Sequence, residues 1–157
     1  MKSSITRMHT AYAALILTAL TGCASVSYGD KNVEANLKTL APVVGKASLY
    51  VCREPAVWVG AGARSTVIVD DKPIGTLKPN NFAHVLLEPG EHGVKVKNSP
   101  GGESGILNVT AKAGEVQIIW LGITGGGFGT LTVDFFSNRI EAEQCVKKAE
   151  YAVPSAQ

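Results

Sequence analysis

The sequence predicts an all-β protein, an antiparallel β-sandwich of about seven to eight short strands. One observation is that apolar and polar residues alternate over several short runs. These runs recur at intervals of about 8–12 residues and are separated by residues typical of turns. A second is the content of 17 glycines, which favours tight turns over the helical crossovers of a parallel sheet. The predicted sandwich domain covers residues 46–150.

The strand pattern begins at residues 46–54, where two sets of side chains alternate between the faces: Ala47, Leu49 and Val51 against Ser48, Tyr50 and Cys52. The later predicted strands are 65–71, 74–77, a hairpin over 81–97, a second strand pair over 106–122, and 130–136. Pro89-Gly90 and Ala113-Gly114 are expected to turn the two pairs back on themselves, since Pro fixes φ and Gly reaches positive φ.

Helical periodicity is confined to the two ends of the predicted domain. One helical face in the upstream segment carries three apolar residues: Val33, Leu37 and Leu40. Pro42 ends this pattern, so residues 23–45 are expected to form a tether with two helical turns that dock on the domain. In residues 137–153, Glu143 and Lys147 at i,i+4 favour a short helix, and a final strand is the alternative.

The first 22 residues are typical of a secretory signal peptide. Lys2 and Arg7 precede the uncharged run AYAALILTAL, residues 11–20, and small residues follow it. Ten helical residues rise about 15 Å, whereas the hydrocarbon core of a bilayer is about 30 Å thick. The run is therefore too short for a stable transmembrane anchor.

Leu20-Thr21-Gly22-Cys23 resembles the lipobox of bacterial lipoproteins. The resemblance implies cleavage between Gly22 and Cys23, diacylglyceryl attachment to the Cys23 sulfur, and acylation of the new N-terminus with a fatty acid such as palmitate. Acyl chains bind a bilayer with about 0.8 kcal/mol per buried methylene, and stable anchoring takes more than one chain. The alternative is an incidental cysteine in a simple signal peptide.

In such lipoproteins an Asp after the modified cysteine favours retention in the inner membrane, and this chain has Ala24 there. The expected location is therefore the periplasmic face of the outer membrane, with the bilayer as a partner through Cys23. Loss of the signal leaves 13 of the 15 Lys and Arg against 13 Asp and Glu. This balance argues against a nucleic-acid binder, which needs a basic surplus.

Cys52 and Cys145 are the two cysteines that remain. An exported chain meets an oxidising compartment, where an even pair favours a disulfide. Two free buried thiols are an alternative, and a redox pair is disfavoured because the spacing is not Cys-x-x-Cys.

Three features of residues 67–96 resemble the PEGA type of small β-domain: the turn Val69–Lys72, the pair Ile74-Gly75, and the turn Pro89–His92. Together with residues 45–53, their order is similar to the domain-of-unknown-function family 2846 of bacterial lipoproteins, over residues 45–136. The resemblance implies a fold and transfers no functional residues. Asp71 stands where such turns often have Gly, which Asp tolerates because it visits the left-handed region.

Four apolar residues in Gly-rich connections are candidates for a contact loop: Val57, Trp58, Val59 and Phe128. Trp58 could instead cap the open end of the sandwich. The run GITGGGFG, residues 122–129, has spacings like those of phosphate loops, but strand periodicity follows it where a phosphate loop needs a helix. It is therefore expected to be a hairpin connection.

No metal, cofactor or catalytic site is predicted. The predicted hairpin places His84 and His92 on opposite faces, so they could not share one metal ion. No Gly-x-Ser-x-Gly motif occurs, and His9 leaves with the signal. The expected function is a non-catalytic binding or scaffold module that contacts an envelope protein or cell-wall component. The alternative is a periplasmic inhibitor or small-ligand binder that acts through its loops.

Overall fold

The structure is a computed structural model that describes residues 26–56, 60–99, 101–124 and 130–154. Within these ranges it contains ten strands and two helices in this order: β1 Ser27–Tyr28, α1 Lys31–Leu37, β2 Ala47–Arg53, β3 Arg64–Val69, β4 Lys72–Leu77, β5 Asn81–Leu87, β6 Gly90–Ser99, β7 Leu107–Ala111, β8 Val116–Thr124, β9 Thr130–Phe135, α2 Arg139–Lys148 and β10 Glu150–Val153.

The strands form two sheets, which confirms the predicted all-β sandwich. One sheet has six strands in the order β1-β10-β5-β2-β8-β9, and the other has four in the order β4-β3-β6-β7. Pairing is antiparallel except for β10 with β5 and β2 with β8, which are parallel. Apolar side chains from both sheets, such as Val51 and Val96, form the core between them.

The turn between β3 and β4 has the predicted Asp-containing geometry. Asp70 and Asp71 have φ values of 47° and 63°, and Val69 pairs with Lys72 across the turn. Two consecutive left-handed residues match the right-handed twist of the strands that they join. Asp71 therefore adopts the backbone conformation that Gly would otherwise supply.

The two hairpins predicted over 81–97 and 106–122 are wrong. β5 pairs with β2 and β10, whereas β6 pairs with β3 and β7 in the other sheet. Similarly, β7 and β8 belong to different sheets. The turns at Pro89-Gly90 and Ala113-Gly114 are therefore arches across the sandwich. A strand with alternating apolar and polar residues can pack its apolar face on the core whether it belongs to one sheet or the other. The pattern therefore predicts the strand but does not determine which strand it pairs with.

Strand β2 lies at the centre of the larger sheet, and all seven of its residues are buried. Val51 and its alternate neighbours face the sandwich core, as predicted. Tyr50 and Cys52 face a second core that α2 covers. Cys52 forms a disulfide with Cys145 of α2, with their Cα atoms 6.2 Å apart, so the favoured cysteine pairing is confirmed.

The N-terminal segment is part of the folded domain from Val26 onwards, which corrects the predicted tether over 23–45. β1 pairs with β10. The predicted helix forms as α1, and the Tyr50 hydroxyl donates a hydrogen bond of 3.0 Å to the carbonyl oxygen of Leu37. This contact holds the end of α1 against the outer face of the larger sheet. At the C-terminus, the predicted alternatives both form, because α2 is followed directly by β10.

The carboxylate of Glu34 links α1 to β10. Its oxygens accept hydrogen bonds from Lys38 Nζ at 2.7 Å, Lys31 Nζ at 3.1 Å and Tyr151 N at 3.2 Å. Burial would raise the pKa of Glu34, but the hydrogen bonds from Lys38, Lys31 and Tyr151 outweigh it and lower the pKa to about 2. The ionised carboxylate thus favours the docked helix.

Glu34→Gln is expected to lower the free energy of unfolding by about 1–2 kcal/mol at pH 7, because it removes charge-assisted hydrogen bonds. The folded-state pKa lies below the ordinary value of 4.5, so the carboxylate stabilises the fold above that value. The difference between wild type and variant should shrink as the pH falls from 4.5 towards 2. Urea unfolding over this pH range measures it, with the exposed Glu141→Gln as control. A difference that does not depend on pH would contradict the assignment.

His84 lies on the outer face of β5 against Tyr50, with ring centroids 4.6 Å apart. Its Nε2 is buried and has no hydrogen-bond partner among the described residues. Burial lowers the pKa of His84 to about 4. The imidazole is therefore neutral in the folded protein near pH 7, although the unfolded chain protonates it below its ordinary value of 6.5.

Wild type is expected to lose stability relative to His84→Phe as the pH falls from 6.5 towards 4, because only the unfolded wild-type chain then gains a proton at this position. Between pH 8 and pH 5 the relative loss should be about 1–2 kcal/mol. Urea unfolding of both proteins at the two pH values tests this. A loss of equal size in the variant would show that His84 is not its source.

Candidate binding groove

A groove of about 780 Å³ opens at the end of the sandwich where β2 ends. Its lining comes from three separate stretches of the chain: Gly62, Ala63, Asn98, Ser99, Gly101, Gly102, Glu103, Ser104, Gly105, Thr130 and Leu131. Backbone, hydroxyl and amide groups predominate among these residues. The groove therefore offers many neutral hydrogen-bonding groups.

Residues 101–105 are held against β6 by backbone hydrogen bonds. Asn98 N donates to the carbonyl oxygen of Gly102 at 2.8 Å, and Ser104 N donates to that of Val96 at 2.9 Å. The Ser104 hydroxyl accepts a hydrogen bond from Val96 N at 2.9 Å and donates one to the carbonyl oxygen of Gly105 at 2.7 Å. Two consecutive positive φ values, 74° and 91° at Gly101 and Gly102, let the chain turn back here.

Arg53 lies beneath this end of the sandwich and is 2% exposed. Its Nη1 donates hydrogen bonds to the carbonyl oxygens of Ala63 at 2.9 Å and Leu77 at 3.1 Å, and to Ser65 Oγ at 3.1 Å. Its Nη2 donates to the carbonyl oxygen of Gly60 at 2.6 Å. One guanidinium therefore joins the connection after β2 to the start of β3 and the end of β4.

One further hydrogen bond connects the Arg53 network to the groove lining. Ser65 Oγ donates a hydrogen bond of 2.6 Å to Asn98 Oδ1, and Asn98 lines the groove. Burial lowers the pKa of the Arg53 guanidinium, which still stays protonated at neutral pH. The four oxygens that accept its hydrogen bonds are all neutral, so within the described part of the chain its positive charge is shared by this network and not by a carboxylate.

Glu103 is the one carboxylate among the described lining residues. Lys95 Nζ lies 3.3 Å from Glu103 Oε1 and 3.4 Å from Asp71 Oδ1, so this carboxylate is paired with a cation. The described lining contains no histidine or cysteine. The arrangement is suited to binding a polar ligand, and its described residues do not form an acid–base or nucleophilic pair.

The candidate contact residues Val57, Trp58, Val59 and Phe128 lie outside the described residues, as do Gly22 and Cys23. The described groove lies close to both predicted contact loops in sequence, because Gly62 follows the first and Thr130 directly follows the second. Cys52 and Cys145 lie in the second core and not in the groove.

His84 and His92 lie in different sheets. His92 Nδ1 is 2.5 Å from Asp70 Oδ2, and its Nε2 is 2.8 Å from the carbonyl oxygen of Glu88. Both partners are acceptors, so the protonated imidazole donates to both, and these hydrogen bonds from His92 to Asp70 and Glu88 raise its pKa. His92 therefore fastens the β3–β4 turn to β6.

Arg53 was not among the predicted site residues, although the sequence contains a signal for it. Ala47, Leu49 and Val51 mark the core-facing positions of β2, and Arg53 is the next position in that alternation. A charged residue at a core-facing position needs buried hydrogen-bond partners. These partners come from β3, β4 and their connections, and the pattern along β2 alone does not identify them.

Among the described residues, no cluster of three or more His, Cys, Asp or Glu side chains could hold a metal ion. None of the helices in the described part of the chain is long and apolar enough to cross a membrane. In comparisons with known proteins, no family model matches the chain and no curated protein matches it.

Proposed function

We propose that this chain is a lipid-anchored, non-catalytic binding module of the bacterial cell envelope, and that the groove beside Arg53 is its binding site. The observation that carries the proposal is the buried guanidinium network. Four hydrogen bonds from one side chain fix the strand ends around the groove. A site with its supporting groups fixed in advance loses less conformational entropy when a ligand binds.

The cellular location in this proposal comes from the N-terminal sequence. The likeness of residues 20–23 to a lipobox supports acylation of Cys23, and Ala24 supports the periplasmic face of the outer membrane. The Cys52–Cys145 disulfide is consistent with an exported protein, because such bonds persist in oxidising compartments. The resemblance to the PEGA type and to family 2846 is part of the same proposal, because family 2846 is a family of bacterial lipoproteins.

The proposed ligand is a polar segment of an envelope protein or of the cell wall, that is, a peptide or glycan chain. Its hydrogen-bonding groups would face the hydroxyl, amide and backbone groups of the lining, and its apolar parts would contact Leu131. The groove is open to solvent at the end of the sandwich, so a chain could lie in it without being enclosed.

Site-specific photocrosslinking in cells tests this proposal. A photoreactive residue at the exposed Ser99 of the groove should yield a discrete adduct with an envelope protein or peptidoglycan fragment. The matched control position is Lys112, which is exposed at the opposite end of the sandwich. Identical adducts from the two positions would contradict a groove-specific partner.

A second variant adds Gly105→Trp to the protein that carries the photoreactive residue at position 99. Nothing lies within 4 Å of a Cβ added at Gly105, which lines the groove, so the indole should fill space without strain. The Ser99 adduct should then disappear while the melting temperature stays unchanged. An adduct that survives this substitution would place the partner elsewhere.

A second candidate function is small-ligand binding, which the groove volume favours. About 780 Å³ lies within the range of about 300–1,000 Å³ that is usual for small-molecule sites. Native mass spectrometry of the purified protein distinguishes the candidates. A bound species of a few hundred daltons that Gly105→Trp removes, together with no macromolecular adduct from Ser99, would favour the small ligand.

A further inference from the structure

The direction of β1 shows from which end the chain enters the sandwich. β1 is antiparallel to β10, β10 is parallel to β5, and β5 is antiparallel to β2. β1 and β2 therefore run in the same direction. β2 begins at Ala47 and ends at Arg53, beside the groove. The chain therefore enters β1 from the side on which β2 begins, opposite the groove, and we call that end of the sandwich the entry end.

The entry end is defined by three connections that lie beside the start of β2. Gly114 N donates a hydrogen bond of 2.8 Å to the carbonyl oxygen of Lys46, and Lys46 forms an ion pair with Glu88. The turn at residues 42–45 leads directly into Lys46. The arch turns and the turn before β2 therefore form one surface.

The length of chain between anchor and domain is short. Val26 already packs against the sandwich core, and only three Cα steps separate it from Cys23. At about 3.8 Å per step these span at most about 11 Å. Through β10 and β5, the strand register places Ser27 level with Tyr50, so Val26 lies about four residues short of the level of Arg53. Four residues of strand span about 13 Å at about 3.3 Å per residue. The anchor therefore falls short of the groove end.

The entry end carries exposed apolar side chains that the described fold does not cover. Val44 is 98% exposed and Val43 is 36% exposed in the turn, and Leu86 is 45% exposed near the end of β5. The exposed Lys112 lies at the same end, whereas Lys46 there is paired with Glu88. Apolar tips beside an exposed lysine match the interface of a bilayer, where aliphatic groups enter the acyl boundary and ammonium groups meet anionic headgroups.

We propose that the turn at residues 42–45 contacts the phospholipid surface of the membrane that anchors Cys23, and that the groove faces away from that membrane. This inference rests on the proposed acylation of Cys23 and adds an orientation to it. The groove is then presented to partners beyond the bilayer and not to the lipid itself.

The test uses the full lipidated protein in vesicles of phosphatidylethanolamine and phosphatidylglycerol. Val44→Cys and Ser99→Cys are each labelled with an environment-sensitive fluorophore, since the native pair is closed as a disulfide. Lipids that carry a quencher in the upper acyl region should quench the Val44 label at least threefold more than the Ser99 label. The Val44 label should also show a blue-shifted emission.

Flotation of the vesicles is measured first and separates the two proposals. Protein that fails to float with the vesicles would overturn the anchor and this orientation with it. Protein that floats but shows equal quenching at the two positions, or stronger quenching at Ser99, would overturn the orientation while the anchor stands. A Val44→Asp variant should float, keep its melting temperature, and lower the quenching of a label at the exposed Lys112 position. Unchanged quenching there would also contradict the contact.

Discussion

Replacing Cys52 and Cys145 together by alanine is expected to lower the free energy of unfolding by about 2–5 kcal/mol. The disulfide joins residues 93 positions apart, so it removes a large loop-closure entropy from the unfolded chain. It also fixes α2 to the centre of the larger sheet, where Cys52 and Cys145 belong to the second core. Urea unfolding of wild type and double variant measures the difference.

Reductant provides the control for the disulfide prediction. Wild type unfolded in urea with excess thiol should approach the midpoint of the double variant, whereas the variant itself should not respond to thiol. A wild-type midpoint that thiol leaves unchanged would show that the bridge does not stabilise this domain.

Arg53→Met is expected to cost about 3 kcal/mol or more of stability. The substitution removes the guanidinium donor from the buried Leu77 carbonyl oxygen and from the partly buried ones of Gly60 and Ala63. The Gly60 oxygen keeps its hydrogen bond from Ala63 N. Each buried group that loses its partner costs about 1–3 kcal/mol. Arg53→Lys should recover part of this loss, because an ammonium supplies fewer donors and lacks the planar fork of the guanidinium.

Arg64→Met is the matched control for the Arg53 variant. Arg64 is half-buried at the start of β3, and its Nε has no hydrogen-bond partner among the described residues. Its removal should change stability by less than about 1 kcal/mol. Equal losses in the two variants would contradict the role assigned to the Arg53 network, as would an unchanged Ser99 crosslink in a folded Arg53→Met protein.

The strands could be predicted from the sequence, whereas their partners could not. Alternation correctly placed β2 and both arms of the β3–β4 hairpin, because there the pattern and the turn residues agree. At Pro89-Gly90 the same signals suit a hairpin and an arch equally. β1 escaped prediction because a strand of two residues is too short to show a period, whereas the final strand was one of the two predicted alternatives and forms as β10.

The candidate groove is a product of tertiary structure and not of any one motif. Its lining combines residues near Ala63, Asn98 and Leu131, which the sheet order brings together. The favoured pairing of Cys52 with Cys145 was predictable because it needed only a count of cysteines and the predicted export signal. The Arg53 network joins β2 to β3 and β4, so its partners become visible only in the fold.

We propose that an acylated Cys23 holds this sandwich at a membrane. Intact mass and membrane fractionation of wild type beside Cys23→Ser test it most directly. We expect wild type to begin at Cys23, to carry the added mass of acyl chains and to sediment with the outer membrane, while the variant is released in soluble form. A wild-type protein that lacks acyl mass and fractionates with the variant would show that Cys23 is not a lipid anchor.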